Sequence, residues 1–154
     1  MSTFFLDTSA LIKHYVVEQG HAWMKSLCDR SQGHQLFISQ VALIEVVATL
    51  CRKAREQSIS ISRRDALIDL FSRHRRKSYE MVRVTNAIYL AAGNLCRNHK
   101  LRAYDAIQMA CALAVRADAV SRNMPVPMFV CADSALLAVA AAEGMPTDNP
   151  NNHP

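Results

Sequence analysis

Short apolar runs of strand length alternate along this chain with longer segments of helical periodicity. Thr3-Phe4-Phe5-Leu6 is the first such run, and it breaks at Asp7-Thr8-Ser9 into a helix-like segment, Ala10-Leu11-Ile12-Lys13-His14-Tyr15. A second helix, over about 20–31, carries Trp23, Met24, Leu27 and Cys28 at core spacing. Leu36-Phe37-Ile38 predicts a short strand that ends at Ser39, a residue suited to cap the following helix. That helix, about 40–57, sets Val41, Ile44, Val47, Ala48 and Cys51 on one stripe expected to face inward. Ser62 is the expected cap of a helix to about 77, with Leu67, Ile68, Leu70 and Phe71 inside. Met81-Val82-Arg83-Val84 reads as a short strand or extended link, and helices follow over about 86–98 and 104–119. Pro125 and Pro127 precede a strand over 128–132, and the last helix opens at Asp133-Ser134 and closes at Gly144.

This succession predicts an α/β fold, with a mostly parallel central sheet covered by helices on both faces. Such sheets bind ligands beyond the carboxyl ends of their strands, where the strand order reverses. Asp7 and Asp133 each end a strand-like run, so both fall where this architecture places a site.

Length and composition narrow the class. A chain of 154 residues is expected to form one domain, over 1–150, with 151–154 as a polar tail and Asn149–Pro154 frayed. At 51% hydrophobic and 20% charged, it has the composition of a packed globular protein and not of a disordered one. No apolar run approaches the roughly 18 residues of a membrane span, and no basic segment precedes the first strand as in a signal peptide. The five cysteines, Cys28, Cys51, Cys96, Cys111 and Cys131, are odd in number and form no C-x-x-C pair. They read as core thiols in a reducing compartment, so the expected location is cytoplasmic. Lysine and arginine outnumber aspartate and glutamate 18 to 13, which favours a polyanionic partner.

Four acids stand out against this background: Asp7, Glu45, Asp105 and Asp133, each set in an apolar stretch. Singly, Asp7, Asp105 and Asp133 are explained as helix caps or first-turn residues, worth about 1 kcal/mol without any chemistry. Glu45 resists that explanation, because its i±4 neighbours are Val41 and Thr49. A buried unpaired carboxylate is costly, and none of the four has lysine or arginine beside it in sequence. If the fold gathers them, their natural partner is a divalent cation. Neither His14, His21, His34, His74, His99 nor His153 sits in a recognisable pairing, so they read as surface or packing residues.

Four segments also carry a family resemblance. Phe5-Leu6-Asp7-Thr8-Ser9-Ala10-Leu11-Ile12-Lys13 resembles the opening of a PIN domain. Ile38 to Val46, Leu101 to Ala110 and Phe129 to Leu136 are similar to its three later acidic segments, in the right order. Gly144 with Asn149-Pro150 matches the family ending, so the resemblance runs from Thr3 to Pro150. The compact length is most similar to the VapC toxins of toxin–antitoxin pairs. The resemblance implies a three-layer α/β/α fold and a metal-dependent endoribonuclease, using Mg2+ or alternatively Mn2+, that leaves 5′-phosphate and 3′-hydroxyl ends. It implies an RNA substrate, a VapB-like antitoxin and a homodimer.

Carried over residue by residue, it makes Asp7, Glu45, Asp105 and Asp133 the acidic quartet, supported by the hydroxyls of Thr8 and Ser9. Asp7 and Asp105 are assigned the main metal contacts, and Glu45 and Asp133 the orientation of water or a second ion. The chain departs from many relatives at Gln108, where they have histidine, and at Ser134, where some have a further acid. Lys13, Arg97, Lys100 and Arg102 are the expected RNA contacts. The basic run Arg73-His74-Arg75-Arg76-Lys77 reads first as a solvated helix end. Two rival readings are a PIN nuclease of RNA processing outside a toxin–antitoxin pair and a PIN module that binds RNA or a partner without cutting. A phosphotransfer receiver is excluded, because Asp7 is followed by Thr8 and no lysine follows Lys100.

Overall fold

Five parallel strands form the centre of the computed structural model, which describes residues 1–154. They are β1 (Thr3–Leu6), β2 (Gln35–Ser39), β3 (Glu80–Val82), β4 (Met128–Val130) and β5 (Thr147–Asp148), in the spatial order β3-β2-β1-β4-β5. The chain builds outward from β1 to one side, then crosses back to build the other, so the order reverses between β1 and β4. In register, Phe5 lies between Phe37 of β2 and Phe129 of β4.

Seven helices cover the two faces: α1 (Thr8–Tyr15), α2 (His21–Leu27), α3 (Ala42–Arg55), α4 (Ile61–Lys77), α5 (Asn86–Asn98), α6 (Ala103–Ser121) and α7 (Ser134–Ala142). Strand pleating sorts the core between the faces, because successive side chains point to opposite sides. Leu6, Leu36, Ile38 and Val130 pack with α1 to α4, whereas Phe5 and Phe129 pack with α5, α6 and α7. Phe5 and Phe129 are stacked with ring centroids 5.9 Å apart and have no solvent exposure. Burying each such side chain stabilises the fold by about 1.5–3 kcal/mol. The three-layer α/β/α architecture with a parallel sheet is therefore as expected. No helix is long and apolar enough to cross a membrane.

Several local expectations are corrected. Helix α3 starts at Ala42, not at 40, and buries Ala42, Val46 and Leu50, while Ile44 from the expected inward stripe is 54% exposed. Almost every position of this segment is apolar, so periodicity alone does not select the buried face. The cap of α4 is Ser60, whose hydroxyl accepts the Arg63 N–H, so the helix begins before Ser62. Helix α2 is shorter than expected, with a separate 3-10 turn at Arg30–Gln32.

The C-terminal residues are not frayed. Cys131 N–H donates to the Asp148 carbonyl beside β5, and a 3-10 turn over Pro150–Asn152 follows. The His153 ring stacks on Trp23 with centroids 4.1 Å apart, and Gln19 donates to the Asn151 carbonyl. Gly20 makes this docking possible. Its φ is +84°, and a Cβ there would stand 2.4 Å from the Pro150 carbonyl oxygen.

Candidate metal centre

The four acids arrive at one end of the sheet on four different helices, each at the helix's N-terminal end. Asp7 leaves β1 and caps α1, Glu45 lies in the first turn of α3, Asp105 in the first turn of α6, and Asp133 caps α7. Glu45 therefore lies at a helix start, in the first turn of α3. Each helix presents the positive end of its dipole to the same region, which favours negative charge there. The four carboxylates share one cavity of about 380 Å³, together with Thr8, Ser9, Arg52 and Arg102.

The tethering of three of the carboxylates follows a common pattern. Asp7 Oδ2 accepts the Ser9 N–H at 3.0 Å and the Ser9 hydroxyl at 2.6 Å, while Oδ1 has no hydrogen bond. Glu45 Oε1 accepts Thr8 Oγ1 at 3.1 Å and Gln108 Nε2 at 2.8 Å, while Oε2 has none. Asp133 Oδ1 accepts the Ala135 and Leu136 N–H groups at 2.9 and 3.3 Å, again leaving its second oxygen free. Asp105 Oδ2 faces Arg102 Nε at 3.6 Å, the only ion pair any of the four makes. Asp7, Glu45 and Asp133 thus each have one oxygen hydrogen-bonded and one open, whereas Asp105 accepts no hydrogen bond and faces only Arg102.

Electrostatics follow from this geometry. Burial raises the pKa of Asp7; the Ser9 hydrogen bonds oppose the rise and the charge of Asp105 adds to it. Burial also raises Glu45, with Gln108 and Thr8 opposing and Asp7 and Asp105 reinforcing. Asp105 is raised by burial, against Arg102 and with Asp133. Three acids held near one another without cations hold their protons more tightly, and that repulsion is what a bound cation relieves.

An all-oxygen donor set suits Mg2+ or Mn2+. As arranged, no three ligating side chains converge on one point. Magnesium takes only one or two carboxylates directly and keeps several waters, so this spread fits it. A larger cavity, of about 900 Å³, lies between α2 and α4 and includes Arg73, His74 and Lys77. Asp29 is its one acidic lining residue, so it offers no place for a cation.

The remaining expected residues divide. Thr8 and Ser9 reach the site as anchors of Glu45 and Asp7. Arg102 stands at the rim with its side chain 88% exposed. Lys13 lines the cavity, but its ammonium is held by Glu18 Oε1 at 3.1 Å and the Gln19 carbonyl at 3.0 Å. Arg97 and Lys100 are exposed and lie outside the cavity.

Gln108 is the residue whose role sequence reasoning did not identify. Fully buried, it donates to both Thr8 Oγ1 and Glu45 Oε1, at 2.9 and 2.8 Å. Its position one helical turn after Asp105, on the same face of α6, was the available signal. Cys131 is the other: its thiol lies 3.5 Å from Asp7 Oδ2, and Ser9 Oγ accepts the Ala132 N–H at 2.9 Å. These contacts tie the end of β4 to the start of α1.

Comparison with known proteins comes to the same place. The family model for the PIN domain matches residues 4–124, which includes Asp7, Glu45 and Asp105 and stops short of Asp133. Among solved structures, the fold is similar to VapBC2 from Rickettsia felis bound to a promoter DNA fragment, at a TM-score of 0.59 and 12% identity. That likeness covers 96% of this chain and 98% of the other. A toxin–antitoxin complex from Klebsiella pneumoniae is similar at a TM-score of 0.57 and 17% identity, covering 96% and 97%. PAE2754 from Pyrobaculum aerophilum is similar at 0.56 and 19%, covering 95% and 83%. No curated protein matches the sequence significantly.

Proposed function

The chain belongs to the PIN-domain family, and from that premise we propose that it is a metal-dependent endoribonuclease acting as the toxin of a VapBC-type toxin–antitoxin pair. The observation that carries this reading is one cavity that gathers Asp7, Glu45, Asp105 and Asp133, the first two and the last each with one oxygen hydrogen-bonded and one free, and only Asp105 in an ion pair. Asp7 and Asp105 would make the main contacts to Mg2+ or Mn2+, with Glu45 and Asp133 around them. When bound, the ion lowers the pKa of a coordinated water and neutralises charge developing on phosphate.

The chain's own residues do the positioning. Ser9 fixes the Asp7 side chain through two hydrogen bonds, so that its free oxygen keeps one direction. Thr8 and Gln108 do the same for Glu45. Glu45, whose proton affinity is raised, accepts a proton from the attacking water. Asp133 keeps its place through its cap bonds and orients that water with its second oxygen. Arg102 and Arg52, which both line the cavity, meet the phosphates of the strand. No histidine lines the cavity, which supports hydrolysis by water over attack by the substrate's 2′-hydroxyl. The products are a 5′-phosphate and a 3′-hydroxyl.

A VapB-like antitoxin is part of the proposal. It is supported by the likeness to VapBC2 and to the Klebsiella toxin–antitoxin complex over nearly the full length of those chains. A homodimer is proposed with it, and light scattering of the purified protein tests that part.

The direct test is incubation of total RNA with the protein in Mg2+, Mn2+ or EDTA, beside the Asp7→Asn protein. Discrete products with 5′-phosphate ends, absent in EDTA and in the variant, are expected. Undiminished cleavage by Asp7→Asn, or by protein in EDTA, overturns the assignment.

A further inference from the structure

Next to the carboxylate cavity lies a second hollow, of about 420 Å³, that the proposed chemistry does not use. It shares Glu45, Thr49 and Arg52 with the first, so the two are continuous. Its other walls are Ile44, Ala48, Arg55 and Tyr104.

Two features of this hollow need an occupant. Ile44 is 54% exposed and Tyr104 52% exposed, on two different helices that meet at the same opening. The Tyr104 hydroxyl makes no hydrogen bond within the protein, and its ring is in no aromatic pair. Tyr104 is thus left half in water beside Glu45, Arg52 and Arg55. The guanidiniums are similarly free: Arg55 makes no ion pair, and Arg52 reaches only Glu56 at 4.0 Å, with both ends well solvated. Along α3, Ile44, Ala48, Arg52 and Arg55 follow one another at helical spacing on the outward face. An apolar surface thus leads into two cations.

An aromatic ring and an aliphatic floor beside guanidinium groups are the elements with which proteins hold an unpaired nucleobase and its phosphate. A lone anion would engage the guanidiniums and leave the exposed tyrosine face unused. Tyr104 also precedes Asp105 directly, so a base stacked there belongs to a nucleotide close to the bond being cut.

We propose that Tyr104 and Ile44, with Arg52 and Arg55 as the cationic wall, form a subsite that stacks one unpaired base of a single-stranded RNA beside the carboxylate site. The inference rests on the nuclease reading and adds to it the part of the substrate recognised next to the cleaved phosphate. Recognition by stacking tolerates any base, so the subsite selects single strands over duplexes more than it selects sequence.

Binding measured without turnover tests this apart from the metal chemistry. A fluorescent single-stranded RNA oligonucleotide is titrated in EDTA with the otherwise wild-type protein, with Tyr104→Ala and with Tyr104→Trp. The same oligonucleotide is then used with one abasic position placed successively along it. Tyr104→Ala is expected to bind roughly 5- to 100-fold more weakly, and Tyr104→Trp to bind like the wild type. One abasic position should weaken the wild type but leave Tyr104→Ala unchanged, because the lost base and the lost ring are the same contact. Equal binding by Tyr104→Ala, or an abasic penalty of the same size in both proteins, overturns the subsite. So does a change of oligomeric state in Tyr104→Ala by light scattering, which makes the patch a contact with a second copy of the chain. If the wild type binds RNA and cuts it while Tyr104→Ala is unaffected, the subsite alone fails. If the wild type neither binds nor cuts RNA, the subsite falls together with the nuclease reading.

Discussion

Gln108 carries no charge and no reactive atom, yet its amide nitrogen fixes where Glu45 stands by donating to Glu45 and Thr8 together. Gln108 Oε1 meanwhile is buried without a partner. Gln108→Leu removes both the useful donors and the unsatisfied acceptor, so stability should change by no more than about 1 kcal/mol. Cleavage should fall about 10-fold in kcat, as expected for loss of positioning of a general base. Thermal unfolding and single-turnover cleavage check the two halves separately. Asp7 yields a prediction about pH. Its folded-state pKa is raised above the ordinary value of 3.8, chiefly by burial. A carboxyl of that kind favours the folded state when protonated, so its contribution is present at low pH and is lost as pH rises through the raised value. Metal-free protein should therefore lose stability as pH climbs from about 4 toward neutrality. Asp7→Asn should remove part of that loss and be more stable than wild type in EDTA at pH 7, by chemical denaturation. Added Mg2+ should stabilise the wild type and not the variant.

At the scale of elements, the same residue can serve as cap and as ligand, and Asp133 allows the two to be separated. Asparagine caps a helix about as well as aspartate. Asp133→Asn should keep the thermal stability of the wild type within about 0.5 kcal/mol while lowering cleavage at least several-fold. Unchanged cleavage would leave Asp133 as a cap and nothing more. The docked C-terminal turn makes a second test. Gly20→Ala forces a Cβ against the Pro150 carbonyl at a backbone angle that favours glycine. A loss of about 2 kcal/mol or more is expected, with the turn over Pro150–Asn152 released to proteolysis.

These elements also show where sequence reading reaches and where it stops. Strands β1, β2 and β4 were legible because their apolar runs are bounded by polar breaks. Strand β5 has two residues, too few for any period to register. The buried face of α3 was misread because apolar residues surround that helix. What decides the face is contact with α1 and β2, which local pattern does not contain. The acids could be picked out from the chain, but their shared placement at four helix N-termini depends on the topology. The Gln108 contact depends on α6 and α1 crossing, one hundred residues apart in sequence.

Across the whole molecule, the sheet brings β1 and β4 side by side where the strand order reverses, and the acids gather at the carboxyl end of the sheet. The chain as a whole carries a formal charge of +5, so the acidic cavity is set into a basic body. A polyanion is drawn to that body even without metal, and a bound cation removes the local repulsion of the bare carboxylates. The central claim is that these four acids form a divalent-metal site. Binding of Mn2+ to the purified protein, followed by electron paramagnetic resonance, tests it without depending on any RNA. The account predicts saturable binding by the wild type, with affinity lowered at least 10-fold in Asp7→Asn and in Asp105→Asn, each still folded by circular dichroism. Folded variants that bind Mn2+ as tightly as the wild type would contradict it.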